Sequence, residues 1–132
     1  MPFVCPIRVR FVDTDTSGRI HHTAMLRHFE AAEQEFFRSL GIQYQDRSSG
    51  AFGLPRVHVE CDFTGPIVYD DLLDIAVSVQ RIGGSSLTLG FDATIQGRPV
   101  ARGKFVIVCL DFGTGRSRPL PDEFALALRG AS

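Results

Sequence analysis

From Val57 to Ile95 apolar and polar residues alternate almost without a break. Val57, Val59, Cys61 and Phe63 oppose His58, Glu60, Asp62 and Thr64. Leu73, Ile75, Val77 and Val79 oppose Asp74, Ala76, Ser78 and Gln80. Leu87, Leu89, Phe91, Ala93 and Ile95 oppose Ser86, Thr88, Gly90, Asp92 and Thr94. Successive side chains of an extended strand point to opposite faces, so each run predicts a strand with one buried face. Residues 98–110 form a fourth strand, apolar on both faces beyond Phe105. Turn signals part the runs: GPIVYDD at 65–71, GG at 83–84 and QGRP at 96–99. Half-buried strands with short connections predict an antiparallel sheet. Residues 4–12 alternate more loosely, with Ile7, Val9 and Phe11 opposite Arg8 and Arg10, and Pro6 marks an edge or entry point.

Between Thr23 and Leu40 the period becomes helical. Met25, Leu26, Phe29, Ala32, Phe36, Phe37 and Leu40 recur at helical spacing, Gly41 supplies a stop, and Thr23 or a residue just before it supplies a cap. The apolar sector is too wide for a surface helix, so this one is buried. A polar loop, YQDRSSGAFG at 44–53, follows. At the other end Pro121-Asp122-Glu123 ahead of Phe124, Leu126 and Leu128 predicts a short final helix. One strand, one long buried helix, four antiparallel strands and a short helix make an α+β chain, with the sheet curved around the helix.

Composition narrows the class. A chain of 132 residues is one domain, 1–132, and 44% apolar with 22% charged residues is ordinary for a globular protein. Eleven phenylalanines and no tryptophan predict a core of flat apolar rings. The first residues lack the apolar segment of a signal peptide, no run approaches a membrane span, and Cys5, Cys61 and Cys109 are far apart, outside any CxxC pattern. These features predict a cytoplasmic protein with reduced thiols. A net charge of −1 argues against non-specific nucleic-acid binding. Residues 1–80 hold seven Arg against eleven acids (−4), and residues 81–132 hold seven basic residues against four acids (+3). The positive C-terminal third suits an anionic ligand or is an unevenly charged surface.

Polar chemistry concentrates at the first strand-to-helix junction, FVDTDTSGRIHHTAML at 11–26. Asp15 is either a turn or cap residue or a carboxylate poised for catalysis. The helix start beside it presents unpaired N–H groups and the positive end of the helix dipole. Gly18 lets the loop bring the two together. Asp13 is assigned to bonding loop amides. His21 and His22 with either aspartate match no standard zinc spacing, so no metal is expected. His28 and His58 are placed on a polar or solvated face. Glu30 is awkward for a buried helix; it is exposed, pairs with an Arg, or reaches a site in a partner subunit.

DTDTSGRIHHTAMLRHFEAAEQEFFRSLG at 13–41, with LPRVHVECDFTGPIVYDDLLDIAVSVQRIGGSSLTLGFD at 54–92, resembles the hotdog-fold acyl-CoA thioesterases. Within them the chain is most similar to the 4-hydroxybenzoyl-CoA thioesterase-like group, which includes the Tol-Pal-associated short-chain branch. The resemblance implies a curved sheet of about five strands around one long helix, and hydrolysis of an acyl-CoA without a cofactor. The acyl group it implies is aromatic or short, and the assembly a homodimer or homotetramer with the acyl pocket between subunits. Asp15 matches the carboxylate that attacks the thioester or activates water. His22 matches a position that is His in the Tol-Pal branch and aromatic in the hydroxybenzoyl branch, where its backbone N–H holds the oxyanion; a part for the His22 side chain stays open. Phe11 stands where the Tol-Pal branch has Tyr, and Glu33 where it has Arg; both favour the aroyl-type branch. Phe11, Gly18, Thr23, Ser85 and Ser86 are the substrate contacts implied, the two serines being equally readable as turn residues. Coenzyme A phosphates want Arg or Lys, and Arg98, Arg102 and Lys104 share one strand face by parity. The rival readings are a hotdog hydratase or dehydratase and a non-catalytic acyl-CoA-binding protein.

Overall fold

The computed structural model describes residues 2–43 and 52–131. Strand β1 (Phe3–Arg8) leads through a 3-10 turn (Phe11–Asp13) to helix α1 (His22–Ser39). Then come β2 (Phe52–Gly53), β3 (Arg56–Phe63), β4 (Leu72–Ile82), β5 (Ser86–Ile95), β6 (Arg98–Val108), β7 (Leu110–Asp111) and α2 (Asp122–Ala131). Five strands form one antiparallel sheet in the order β1-β4-β5-β6-β3, and β2 pairs with β7. This is the α+β architecture the alternation predicts, with α1 on the sheet's inner face.

Aromatic packing fixes α1 there. The Phe29 ring stacks on Phe91 of β5 with centroids 4.8 Å apart and meets Phe105 of β6 edge-on at 6.4 Å. Phe91 and Phe105 touch each other at 4.9 Å. All three rings are buried, as are Ala24, Met25, Ala32, Phe36 and Phe37 of the same helix. Burying each large side chain contributes about 1.5–3 kcal/mol. At the far end Phe124 of α2 closes edge-on over Phe52 at 5.7 Å.

Four expectations need correction. The first strand stops at Arg8, not at residue 12. Val9 bonds instead to the turn before β4, through Asp71 O and the Asp70 N–H, and the Asp13 carboxylate then takes the Arg10 N–H. That tightens the chain into the 3-10 turn and leaves Phe11 exposed. The predicted loop at 44–53 falls largely on 44–51, outside the described residues, and its end, Phe52–Gly53, is strand β2. The predicted strand at 98–110 divides into β6 and β7, and β6 is interior, between β5 and β3. The apolar face of β3 is not buried: Val57, Val59 and Phe63 are 62%, 46% and 44% exposed. β3 is an edge strand, and among the described residues nothing covers these three side chains.

Glu33, fully buried on α1, pairs with Arg56 at the start of β3. A buried charge of this kind is costly to strip of its partner. Glu30, three residues earlier, is exposed.

The Phe29 ring packs against the backbone of Gly103. A methyl group there would overlap the ring and crowd the Glu60 carbonyl at 3.0 Å. Gly103→Ala is therefore expected to destabilise the fold by about 1–3 kcal/mol through overpacking. The midpoint of urea unfolding measures this, and an unchanged midpoint would show that α1 does not lean on Gly103.

Candidate active site

The loop between the 3-10 turn and α1 is braced from inside. Thr14 and Ile20 pair across it, the Asp15 N–H donates to Arg19 O at 3.0 Å, and the Gly18 N–H donates to Asp15 O at 3.0 Å. Gly18 sits at φ 82°, a left-handed conformation that a residue without Cβ adopts freely. The Asp15 side chain is exposed, and its Oδ1 accepts from the Ser17 N–H at 2.8 Å and the Ser17 hydroxyl at 2.5 Å. Among the described residues its Oδ2 accepts nothing. The Ser17 hydroxyl and then the Ser17 amide hold the carboxyl below the usual carboxylate range, and the His21 and His22 rings add to this. Asp15 is thus ionised at neutral pH and offers solvent one free oxygen.

The helix start faces the same loop. His21 is the N-cap: its Nδ1 accepts the Thr23 N–H at 3.2 Å, and its carbonyl takes the Ala24 N–H at 2.9 Å. Thr23, predicted as a possible cap, is inside the first turn, its hydroxyl 2.8 Å from His21 Nδ1. Of the first-turn amides, that of His22 has no acceptor among the described residues. The His22 ring is exposed and stacks on His21, centroids 4.2 Å apart. An exposed carboxylate and an unused helix N–H therefore belong to one short segment, as the sequence motif suggests.

Three ties hold that segment to the body. The His21 N–H donates to Asp13 O at 2.7 Å, the Ile20 N–H donates to Ile67 O at 2.8 Å, and Arg19 pairs with Val68. Asp13 bonds a loop amide as assigned, taking the Arg10 N–H on Oδ2 at 2.8 Å. It also lies 3.0 Å from Nε2 of His28. His28 is thus not on a solvated face: its side chain is 13% exposed. His58 is exposed, beside Glu60 at 2.8 Å.

The remaining candidates scatter. Phe11 is exposed and meets Tyr69 edge-on at 5.8 Å, beside the loop. Ser85 and Ser86 form the β4–β5 turn, their carbonyls taking the Cys109 and Gly83 N–H groups. They lie a strand length from the Asp15 loop, roughly 33 Å at ~3.3 Å per residue, because Arg19 and Val68 pair just ahead of the opposite end of β4. One chain does not bring them together.

Arg98 stands on the β5–β6 turn at the Asp15 end of the sheet, opposite Ile95, whereas Arg102 is opposite Asp92 and Lys104 opposite Gly90. A register slip at Thr94–Pro99 breaks the parity, so Arg98 does not share the face of the other two. Arg102 and Lys104 line a shallow cleft of about 440 Å³ on the outer sheet face with Glu60, Asp62 and Asp92. Three carboxylates outnumber two cations there, which does not favour a phosphate.

Among the described residues no three or more His, Cys, Asp or Glu gather as metal ligands, and no helix is long and apolar enough to cross a membrane. The cysteines are thiols; burial pushes Cys61 up to about 11 and raises Cys5 and Cys109, so none is a ready nucleophile.

Known proteins resemble this chain in sequence and fold. A 1,4-dihydroxy-2-naphthoyl-CoA hydrolase of Synechococcus is 31% identical over 123 residues, covering 87% of this chain and 80% of that protein. The structure of a 1,4-dihydroxy-2-naphthoyl-CoA thioesterase from Synechocystis superposes with a TM-score of 0.91 at 23% identity, covering 98% of this chain and 96% of that one. A gentisyl-coenzyme A thioesterase structure gives a TM-score of 0.86 at 26% identity, covering 96% and 99%. The model of the thioesterase-like superfamily matches residues 9–128, the junction included. The chain belongs to the thioesterase-like superfamily.

Proposed function

We propose that this chain hydrolyses an acyl-CoA whose acyl group is aromatic or short, with Asp15 as nucleophile or general base and the His22 N–H as oxyanion donor. The observation that carries the reading is the pairing, on one braced segment, of an ionised carboxylate with an unused amide at a helix start. Acyl-CoA thioester hydrolysis is the chemistry of the named relatives. An aromatic acyl group is supported by the names of the naphthoyl-CoA and gentisyl-CoA enzymes and by the exposed Phe11–Tyr69 pair beside the loop.

The reaction needs few parts. Either Asp15 takes a proton from water and the hydroxide adds to the thioester carbon, or the carboxylate adds directly and water cleaves the resulting anhydride. In both courses negative charge builds on the acyl oxygen, which the His22 N–H and the helix dipole stabilise. The C–S bond then breaks and coenzyme A leaves as a thiolate that gains a proton. No metal or cofactor takes part in this scheme.

The site is open in one chain, and the acyl pocket is proposed to be closed by a second subunit. The uncovered apolar side chains on the β3 edge support a homodimer, or a tetramer built as a dimer of dimers. Ser85 and Ser86 then serve a site only from the other copy. Arg98 is the cation at the same end of the sheet as Asp15. Free thiols at all three cysteines agree with a cytoplasmic location.

Release of free thiol from a panel of aroyl- and alkyl-CoA esters tests the reading. Turnover of at least one aroyl ester is expected, with Asp15→Asn losing about 10²–10⁴-fold in kcat while retaining affinity for an inert thioether analogue. Binding without release would indicate an acyl-CoA-binding protein, and water addition to an enoyl-CoA would indicate a hydratase. The acid limb of kcat/KM is a second check. Asp15 must be ionised, so activity falls as pH drops through its lowered pKa. Ser17→Ala removes the largest cause of that lowering and is expected to move the limb to higher pH. An unmoved limb would exclude Asp15 as the titrating group.

A further inference from the structure

Asp13 and His28 lie beneath the junction, and the proposed chemistry does not use them. Asp13 is 6% exposed, and its Oδ2 holds both the Arg10 N–H and the His28 ring. Its backbone is engaged as well: its N–H donates to Arg10 O at 3.0 Å, and its carbonyl takes the His21 N–H at 2.7 Å. One residue thus ties together the 3-10 turn, the cap of α1 and a point two turns down that helix. Asp15 is two residues away, at the mouth of a loop closed on itself by the Thr14–Ile20 and Asp15–Arg19 pairs.

The His21–Asp13 and Ile20–Ile67 hydrogen bonds and the Arg19–Val68 pair hold this braced loop at the helix start and to the segment before β4. Of the side-chain contacts on the junction, Asp13–His28 is the one that reaches along α1, seven residues beyond His21. We infer that the Asp13–His28 pair positions the reaction: it sets the angle of the Asp15 loop against α1, and with it the offset between the carboxylate and the His22 N–H. The inference rests on the proposed roles of Asp15 and His22. Neither Asp13 nor His28 touches substrate in this account. Misplacement by about an ångström at a reacting centre costs on the order of 100-fold in rate, so the clamp should be read in kcat rather than in KM.

Two polar variants separate positioning from simple stability. His28→Gln places an amide NH₂ near where Nε2 stands and can still donate to Asp13, whereas the shorter His28→Asn places its amide near Nδ1 and cannot. With the full chain and an aroyl-CoA ester that the wild type cleaves, His28→Gln is expected within about fivefold of wild-type kcat. His28→Asn is expected to fall roughly 10–100-fold with KM within about twofold. Both rates are taken per folded molecule, with thermal midpoints measured alongside. Equal kcat for the two variants, or losses that only track the folded fraction, overturn the clamp. Asp15→Asn in the same assay tells the two failures apart. If it is inactive while the His28 variants match, only the clamp is wrong; if it is fully active, the proposed chemistry falls and the clamp with it.

Discussion

The hydrogen bond from the His21 amide to the Asp13 carbonyl, 2.7 Å long, is the contact on which the junction depends. It joins the end of the 3-10 turn to the cap of α1 and closes the loop carrying Asp15. Because the His21 ring and carbonyl satisfy the next two amides of the first turn, the His22 N–H is the one left over. A helix end normally spends such groups on water or on caps. Here the capping pattern isolates a single donor on the segment that carries an ionised carboxylate. The packing of Phe29 over Gly103 then fixes α1, and so the donor, against the sheet.

The family assignment and the local geometry support each other from different directions. Superposition with known thioesterases gives the fold, and the family model covers the junction itself. The hydrogen bonds show why this short segment carries an ionised carboxylate and an unused helix amide, the two groups the proposed chemistry would use. Ser17 has a part in this that its position in a turn disguises: by bonding one Asp15 oxygen it lowers the carboxyl's pKa further and leaves the other oxygen open. The exposed apolar side chains on β3 and the distance of Ser85 and Ser86 from Asp15 agree with a pocket that needs two copies of the chain.

Much of this was legible in the order of residues. Period-two and helical spacing place α1 and the long strands within a few residues, because both patterns are imposed by burial against one core. The readings that failed have local causes. Parity put Arg98 beside Arg102 and Lys104, but a register slip near Pro99 turns it to the other face, and slips leave no mark in an alternation of side chains. Alternation also marks the inner face of β3 without saying that its edge position leaves Val57, Val59 and Phe63 exposed. His28 and Glu33 interrupt an apolar helix as any surface residue would. Only the fold shows that each meets an opposite or hydrogen-bonding partner far along the chain, Asp13 and Arg56. The Asp15 motif was readable because the carboxylate and the helix start beside it are contiguous, whereas anything completed by a distant segment or another subunit is not.

The most direct measurement is a crystal structure with an inert thioether analogue of an aroyl-CoA. The account predicts a free Asp15 oxygen within about 3–3.5 Å of the carbon that stands for the thioester centre, and the His22 N–H about 2.7–3.1 Å from the acyl oxygen. An analogue bound with its acyl oxygen on some other donor, or with Asp15 still turned to bulk solvent, would contradict it.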